Sequence, residues 1–331
     1  MNGEFREAVL SQPENLRAAR ESFAAAIAEV DLRPLRGGTI VFSGIGASGH
    51  ALIPTVLALR AAGQRAFAIS PGELRDARAT ALGDAFVLVS QSGASAETVQ
   101  ALAHLDGAPV VAISAHGESP LAEAAGAWLP LGPLADNTQV ASVSYTATLQ
   151  ALGMLCDALL GRDSGWRALA DLAADVLERG ASTVPGLAER FAALVAIDAV
   201  GGGAAQASAG EAALLVREGL RLPAVGMETR EYLHGPLEAV ADGFGCLVFG
   251  RERERALAGE LAAFGAVVAL LGDEAAPPPP RVHAIELPRV AELAAPILQI
   301  LPVQLLAEEV ARLHGTRIGT LRRHQPDTKV R

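Results

Sequence analysis

Three serines lie close together in the run Ser90-Gln91-Ser92-Gly93-Ala94-Ser95. Each hydroxyl can donate a hydrogen bond, and the glycine between them permits a tight backbone turn. The run follows AFVLV, a short apolar stretch that reads as a strand. It precedes SAETVQALAHL, which reads as a helix with Ser or Thr and Glu near its start. Such a helix start offers free N–H groups and positive dipole potential, and both suit a phosphate group. The blander alternative is a polar turn in which Ser95 is the helix N-cap. Position after a strand favours a ligand, because open α/β sheets bind ligands at the carboxyl ends of their strands.

A second glycine-rich turn competes for attention. Gly44, Gly46 and Gly49 match the G-x-G-x-x-G dinucleotide fingerprint after the strand-like TIVFS. That fingerprint also wants an acidic residue about 20 positions on, ending the next strand. Here the next strand, RAFAIS, ends in Ser70 followed by Pro71, and Glu73 lies beyond. A nicotinamide oxidoreductase is therefore the weaker reading, and Ser48 is available to the phosphate cradle instead. The histidines are His50, His104, His116, His234, His283, His314 and His324. None makes an i,i+4 pair with a nearby acid, so no metal is expected, and no cofactor is implied. His50 reads most simply as a helix N-terminal residue. Arg251 and Arg253 read as solvated charges.

The elements that would hold these residues alternate. Residues 14–30 have helical spacing of Leu16, Phe23, Ile27 and Val30. TIVFSGIG, AFVLVSQSG and VVAISAHG read as buried strands, Gly49 to Ala61 as a helix, and residues 141–160 as a long apolar helix. Strands alternating with helices imply a parallel sheet covered on both faces. The order then repeats. LVAIDAVGGG parallels TIVFSGIGAS, FGCLVFGRE parallels DAFVLVSQSG, AVVALLGDE parallels PVVAISAHG, and HAIELP parallels AWLPL. Where the first half has its serine-rich loop, the second has Gly250, Arg251 and Glu252. One duplicated fold with one phosphate site is the expectation. The predicted boundaries are an N-terminal helical segment over 1–30, a first domain over 31–162 and a helical connector over 163–185. A second domain follows over 186–314, then a polar, basic tail over 315–331. The prolines 277–280 form a loop too short to be a domain linker.

Bulk properties narrow the classes. A length of 331 residues, half of them hydrophobic, suits two domains. The net charge of −10 comes without a long Lys/Arg block, so no nucleic-acid partner is expected. No apolar run reaches the roughly 18 residues of a membrane span, so no membrane partner is expected. The charged start is no signal peptide. Cys156 and Cys246 sit in separate apolar stretches and read as reduced core residues of a cytoplasmic protein.

Together these motifs resemble the isomerase half of glutamine–fructose-6-phosphate aminotransferase, a family with two sugar isomerase (SIS) domains. Glu7 and the Gln12-Pro13 pair resemble its opening stretch. GIGAS resembles its first glycine turn, and Ser48 matches a sugar-contacting serine. SQSGAS resembles its SQSGET phosphate loop, which implies ligand contacts from Ser90, Gln91, Ser92 and Ser95. Val140, Ala141 and Ser142 resemble its VASTK stretch, implying further contacts from Val140 and Ala141. EAALLVRE and EYLHGPL resemble its EGALKLKE and GELKHGPL segments, and QPDTKV its lysine-bearing C-terminal loop. The implied fold is α/β: two tandem SIS domains, each a parallel sheet flanked by helices on both faces in a flavodoxin-like three-layer sandwich.

The resemblance also implies chemistry. Glu218 matches a glutamate that moves protons between C1 and C2 of the sugar, work that suits a carboxylate with a raised pKa. It lies seven residues after Glu211 on one predicted helix, so both are expected to share a face. His234 matches a histidine that assists ring opening and reaches a neighbouring subunit's site, which implies a homodimer. Lys329 matches a lysine able to form a Schiff base with an open-chain ketose, which needs a lowered pKa. Glu231 matches a glutamate of the HGP segment. Two departures stand out. No glutaminase segment precedes the matching stretch, so glutamine-dependent transfer is not expected of this chain. Leu215 and Arg217 stand at the KLKE lysines, and Val143 and Ser144 follow where VASTK has its lysine. The expected substrate is a sugar phosphate, and the expected activity is isomerisation, deamination or deglycation of an amino-sugar or ketose 6-phosphate. A non-catalytic sugar-phosphate sensor is the alternative.

Overall fold

A computed structural model describes residues 3–76, 82–105, 107–134, 138–273, 277–323 and 325–330. His324 lies outside the described residues. The chain divides into two compact units. The first comprises Glu14–Ala135, Val143–Arg167 and Arg323–Arg331; the second comprises Met1–Pro13, Asp136–Ser142 and Ala168–Arg322.

In the first unit, five parallel strands run in the order β2-β1-β3-β4-β5. They are β1 (Ile40–Ser43), β2 (Ala66–Ile69), β3 (Ala85–Val89), β4 (Val110–Ser114) and β5 (Ala127–Pro130). Every residue of β1, β3 and β4 is buried. That explains their unbroken apolar runs, since helices cover both faces of a parallel sheet. The second unit has β6 (Ala196–Gly201), β7 (Ala224–Met227), β8 (Phe244–Phe249), β9 (Val267–Gly272) and β10 (Val282–Glu286). They are also parallel, in the order β7-β6-β8-β9-β10. Each sheet therefore reads 2-1-3-4-5, the flavodoxin-like order. That order differs from the 3-2-1-4-5-6 sheet of dinucleotide-binding folds, and GIGASG loses its main structural support.

Three elements differ from the sequence reading. The first helix spans Gly3–Glu29 and contains Pro13, which the reading had placed at its edge. Phe5, Ala8, Val9, Gln12, Leu16, Ala19 and Phe23 form one buried stripe across the proline. Burial along that stripe outweighs the missing N–H. Near its start, Gln12 donates to the carbonyl of Val9 and to Gln304 Oε1 at 2.6 Å. The connector is a helix over Trp166–Phe191, running past residue 185. Finally, Val143–Leu160 is long and apolar enough to cross a membrane by length and composition, contrary to the sequence expectation. Fourteen of its residues, from Val143 to Asp157, are buried by protein, as in a core helix.

The second core holds an acid the sequence did not single out. Asp198 lies in the middle of β6, almost wholly buried, and accepts a hydrogen bond from Tyr232 Oη at 2.8 Å. Burial raises the Asp198 pKa, and the Tyr232 bond partly offsets it. Tyr232 belongs to the short helix Thr229–Leu233, so this bond ties that helix to the sheet. Tyr232→Phe would leave a buried carboxylate without its donor, at a cost of about 1–3 kcal/mol. Acid protonates Asp198 and removes the charge that needs solvating. Denaturant titration should therefore show a larger loss at neutral pH than near pH 4. An equal loss at both would show that Asp198 carries no charge in the fold.

Candidate active site

The serine loop sits at the exit of β3, between β1 and β4, where the strand order of the first sheet reverses. Open α/β sheets form a crevice at such a point. Several bonds fix the loop. Ser90 N–H donates to the Ile113 carbonyl, and Ala115 N–H donates to the Gln91 carbonyl, so β4 supports its first half. Gly93 has φ +63°, and a Cβ there would collide with Ser119. Its carbonyl accepts from Leu121 N–H at 2.9 Å. The glycine turn at the exit of β1 packs alongside. A Cβ on Gly44 would stand 3.2 Å from the Val89 carbonyl oxygen and 3.1 Å from Ser48 Cβ. Close approach to β3 thus accounts for this glycine, and it places Ser48 beside the turn. The acidic residue beyond β2 is already engaged, because Glu73 accepts from both the N–H and the hydroxyl of Ser70.

Ser95 occupies the N-cap position of the helix Ala96–Leu102, but its hydroxyl makes no capping bond. It accepts from Ser90 Oγ at 3.1 Å instead. The cap reading of this residue is thereby set aside. The helix start is less open than the sequence implied, since Ala96 N–H donates to the Thr328 carbonyl and Ala94 N–H to Ser92 Oγ.

The chain's last residues supply what the loop lacks. Val330 N–H donates to the Ala94 carbonyl, and Lys329 forms an antiparallel bridge with Ser95. Lys329 Nζ donates to Ser92 Oγ at 2.8 Å and lies 3.5 Å from Ser95 Oγ. Lys329 is therefore no loose tail lysine. Partial desolvation lowers its pKa, and the nearby Glu97 opposes that shift. Ser90, Ser92, Ser95 and Lys329 converge in the first unit, with Gln91 in the same loop. His50, two residues after Ser48, has its pKa lowered by burial.

The other sequence-derived candidates fall in the second unit. Glu218 is not carried on a continued α-helix. The helix Gln206–Leu215 passes into a π-helical turn over Val216–Leu220, followed by Arg221 at φ +62°. The shared face expected for Glu211 and Glu218 rested on a single α-helix, which ends at Leu215. Glu211 is buried, whereas Glu218 is half-buried with its pKa raised by desolvation. Single π turns inside helices often mark functional positions. Arg217 donates to the Ala224 carbonyl at 3.1 Å. His234 is the exposed C-cap residue of Thr229–Leu233, whose N-cap is Glu228. Glu231 is exposed on the same helix.

Val140 and Ala141 join this second group through a strip that the sequence reading left as tail. Gln139 N–H donates to the Gly319 carbonyl, and Leu321 N–H donates to Gln139 Oε1. A Cβ on Gly219 would touch Ile318 at 3.0 Å. Residues 318–321 thus bind the 138–141 segment on one side and pack on the Glu218 turn on the other. Arg251 and Arg253 are not simply solvated either, since they pair with Asp273 and Glu260.

Residues 36–160, which include both glycine turns and the serine loop, match the family model described as SIS domain. This stretch of the chain is a SIS domain. It is 30% identical over 240 residues to glutamine–fructose-6-phosphate aminotransferase of Pyrobaculum aerophilum, covering 68% of this chain and 40% of that protein. The chain thus spans about two-fifths of the curated relatives it matches. Among solved structures it resembles the C-terminal domain of the Francisella tularensis glucosamine-fructose-6-phosphate aminotransferase. That match has a TM-score of 0.83 at 19% identity, over 97% of this chain and 98% of that one. It also resembles glucosamine-6-phosphate deaminase of Thermotoga maritima, with a TM-score of 0.80 at 20% identity, over 99% and 100% of the two chains. At these identities the likeness establishes the fold.

Two outcomes follow for this SIS-domain protein. Gly93→Ala forces a side chain into Ser119 at a left-handed position, so the loop must open. Calorimetry with inorganic phosphate should show binding by the wild type and none by the variant. Glu218→Gln removes a carboxyl whose ionised form the fold disfavours. Its melting temperature should equal or exceed the wild type's at pH 7, above the ordinary carboxylate range. The difference should vanish below the ordinary carboxylate range, where both side chains are neutral.

Proposed function

We propose that this chain is a phosphosugar enzyme of the isomerase, deaminase or deglycase type, acting on an amino-sugar or ketose 6-phosphate. The observation that carries the reading is the convergence of Ser90, Ser92 and Ser95 hydroxyls with the Lys329 ammonium at the exit of β3. Three donors and one cation fit a dianionic phosphate ester. Ser48 and Gln91, with the backbone of Val140 and Ala141, would orient the sugar.

Glu218 would act as the proton shuttle. It takes the proton from the carbon next to the carbonyl or imine and returns it to the carbonyl or imine carbon itself, so that the proton moves between C1 and C2 through an enediol- or enolamine-type intermediate. Its raised pKa brings a carboxylate nearer the strength such a base needs. His234 would assist ring opening. Lys329 would attack an open-chain carbonyl only after giving up its ammonium proton, a loss its depressed pKa favours, forming an imine and releasing water. For an amino sugar, proton transfer moves the double bond to the amine-bearing carbon. Water then displaces ammonia, leaving a ketose phosphate. The relatives named as aminotransferases and the Thermotoga neighbour named as a deaminase support this class.

The second unit would be a second SIS domain, a reading supported by the shared 2-1-3-4-5 strand order. Domain limits of 31–162 and 186–314, joined by the connector, follow from it. A homodimer with His234 serving the neighbouring subunit is part of the same proposal. A cytoplasmic location fits the two free, buried cysteines.

Ammonia or amine release from glucosamine 6-phosphate and fructosyl-amino-acid 6-phosphates tests the activity. Turnover should fall at least about a hundredfold in Glu218→Gln while phosphate binding persists. Tight phosphosugar binding without turnover of any such substrate would instead favour the sensor reading. For the shared site, Glu218→Gln and His234→Ala should each be inactive. Mixed dimers of the two should regain activity, because one composite site is then intact. If mixing restores nothing, His234 does not serve its neighbour.

A further inference from the structure

The second unit has its own cavity, of about 230 Å³, at the exits of its strands. Gly202 and Gly203 line it after β6, Gly250 and Arg251 after β8, Asp273 after β9, and Gln299 from the helix Ala295–Leu313. Its place in the sheet matches that of the serine loop in the first unit. The chemistry does not match.

Where the first unit presents hydroxyls, the second presents Glu254, whose carboxylate folds back over the start of its own helix, Glu252–Ala263. It accepts from Arg251 N–H and, at 2.7 Å, from Thr229 Oγ1. A Cβ on Gly202 would stand 2.8 Å from Glu254 Oε1, and one on Gly250 would stand 2.6 Å from Oε2. An internal carboxylate thus occupies the place an anion would take. Glu254, Asp273 and Glu292 line the cavity with Arg251 as the one cation in the lining, and Arg251 is already paired with Asp273. Arg289 approaches Asp273 only from solvent, at 3.9 Å. A phosphate there would meet like charge with no free cation.

The cavity nevertheless holds an available polar group. Gln299 is nine-tenths buried, and its Oε1 accepts from Ser208 Oγ at 2.6 Å. The other end of the carboxamide is left for whatever fills the cavity. Carboxylates accept from hydroxyl groups, the carboxamide can donate, and Gly203, with nothing within 4 Å of where a Cβ would stand, leaves its backbone open to a ring. The volume falls below the roughly 300–1,000 Å³ of sites for drug-sized ligands, which points to a monosaccharide.

We infer that the second unit binds a neutral or amino-bearing sugar without a phosphate group, in the cavity between Gly203, Glu254, Asp273 and Gln299. This site is independent of the phosphosugar reading, since none of its residues belongs to the set assigned there. The probe is glucosamine, titrated calorimetrically into the full chain with excess inorganic phosphate present. Millimolar binding should appear in the wild type and persist in Ser92→Ala. It should weaken about tenfold in Gln299→Leu, which keeps the shape but loses the amide. Ala295→Trp, which fills the cavity, should abolish it. Thermal midpoints report whether each variant folds, and Gln299→Leu decides the matter if the tryptophan variant does not. The inference is overturned if the wild type gives no heat with glucosamine. It is equally overturned if phosphate or Ser92→Ala removes the heat, or if Gln299→Leu leaves it unchanged.

Discussion

The turn at Gly93 is the constraint on which the first unit's chemistry depends. A side chain there would occupy the space of Ser119, and the backbone is already left-handed. With no Cβ, the loop drops close enough to β4 and to the Pro120–Ala124 helix for its carbonyl and amides to be held on both sides. The serine hydroxyls are then free to face one another rather than cap their own helix. The chain's end docks on the loop's outer edge and delivers Lys329 to the same place.

The two units show how one scaffold takes on different chemistry by changing a few residues at strand exits. Both sheets are parallel, with the same order, and both leave a loop between strand and helix at the point where that order reverses. In the first, the helix start is flanked by hydroxyls and a lysine. In the second, Glu254 satisfies the helix start internally, so the positive end of the helix meets a fixed negative charge. The fold supplies position, while the loop's side chains decide which charge is welcome.

The proposed proton chemistry depends on a different local feature. The π turn at Val216–Leu220 lifts Glu218 out of the regular helix while packing buries half of it. Nearby, the Asp198–Tyr232 bond anchors the helix that ends in His234. Tyr232 and Asp198 escaped the sequence reading because neither sits in a motif. A tyrosine beside a histidine and an aspartate within an apolar strand carry no pattern; only their pairing across 34 residues gives them meaning.

The sequence by itself determined the alternation of strands and helices and the place of the serine loop at a strand exit. These are local properties, written in runs of a few residues whose apolar spacing and glycine content have few alternative readings. It also singled out Lys329. It missed the continuation of the first helix through Pro13, because a buried stripe overrides a local breaker. It missed the π turn, because α and π turns share the same residue preferences. Only the tertiary structure decided which distant segments meet. Lys329 reaches Ser92 across 237 positions, and residues 318–321 bind both the 138–141 segment and the Glu218 turn. Such contacts arise from packing many weak interactions at once, and no short stretch of sequence encodes its partner.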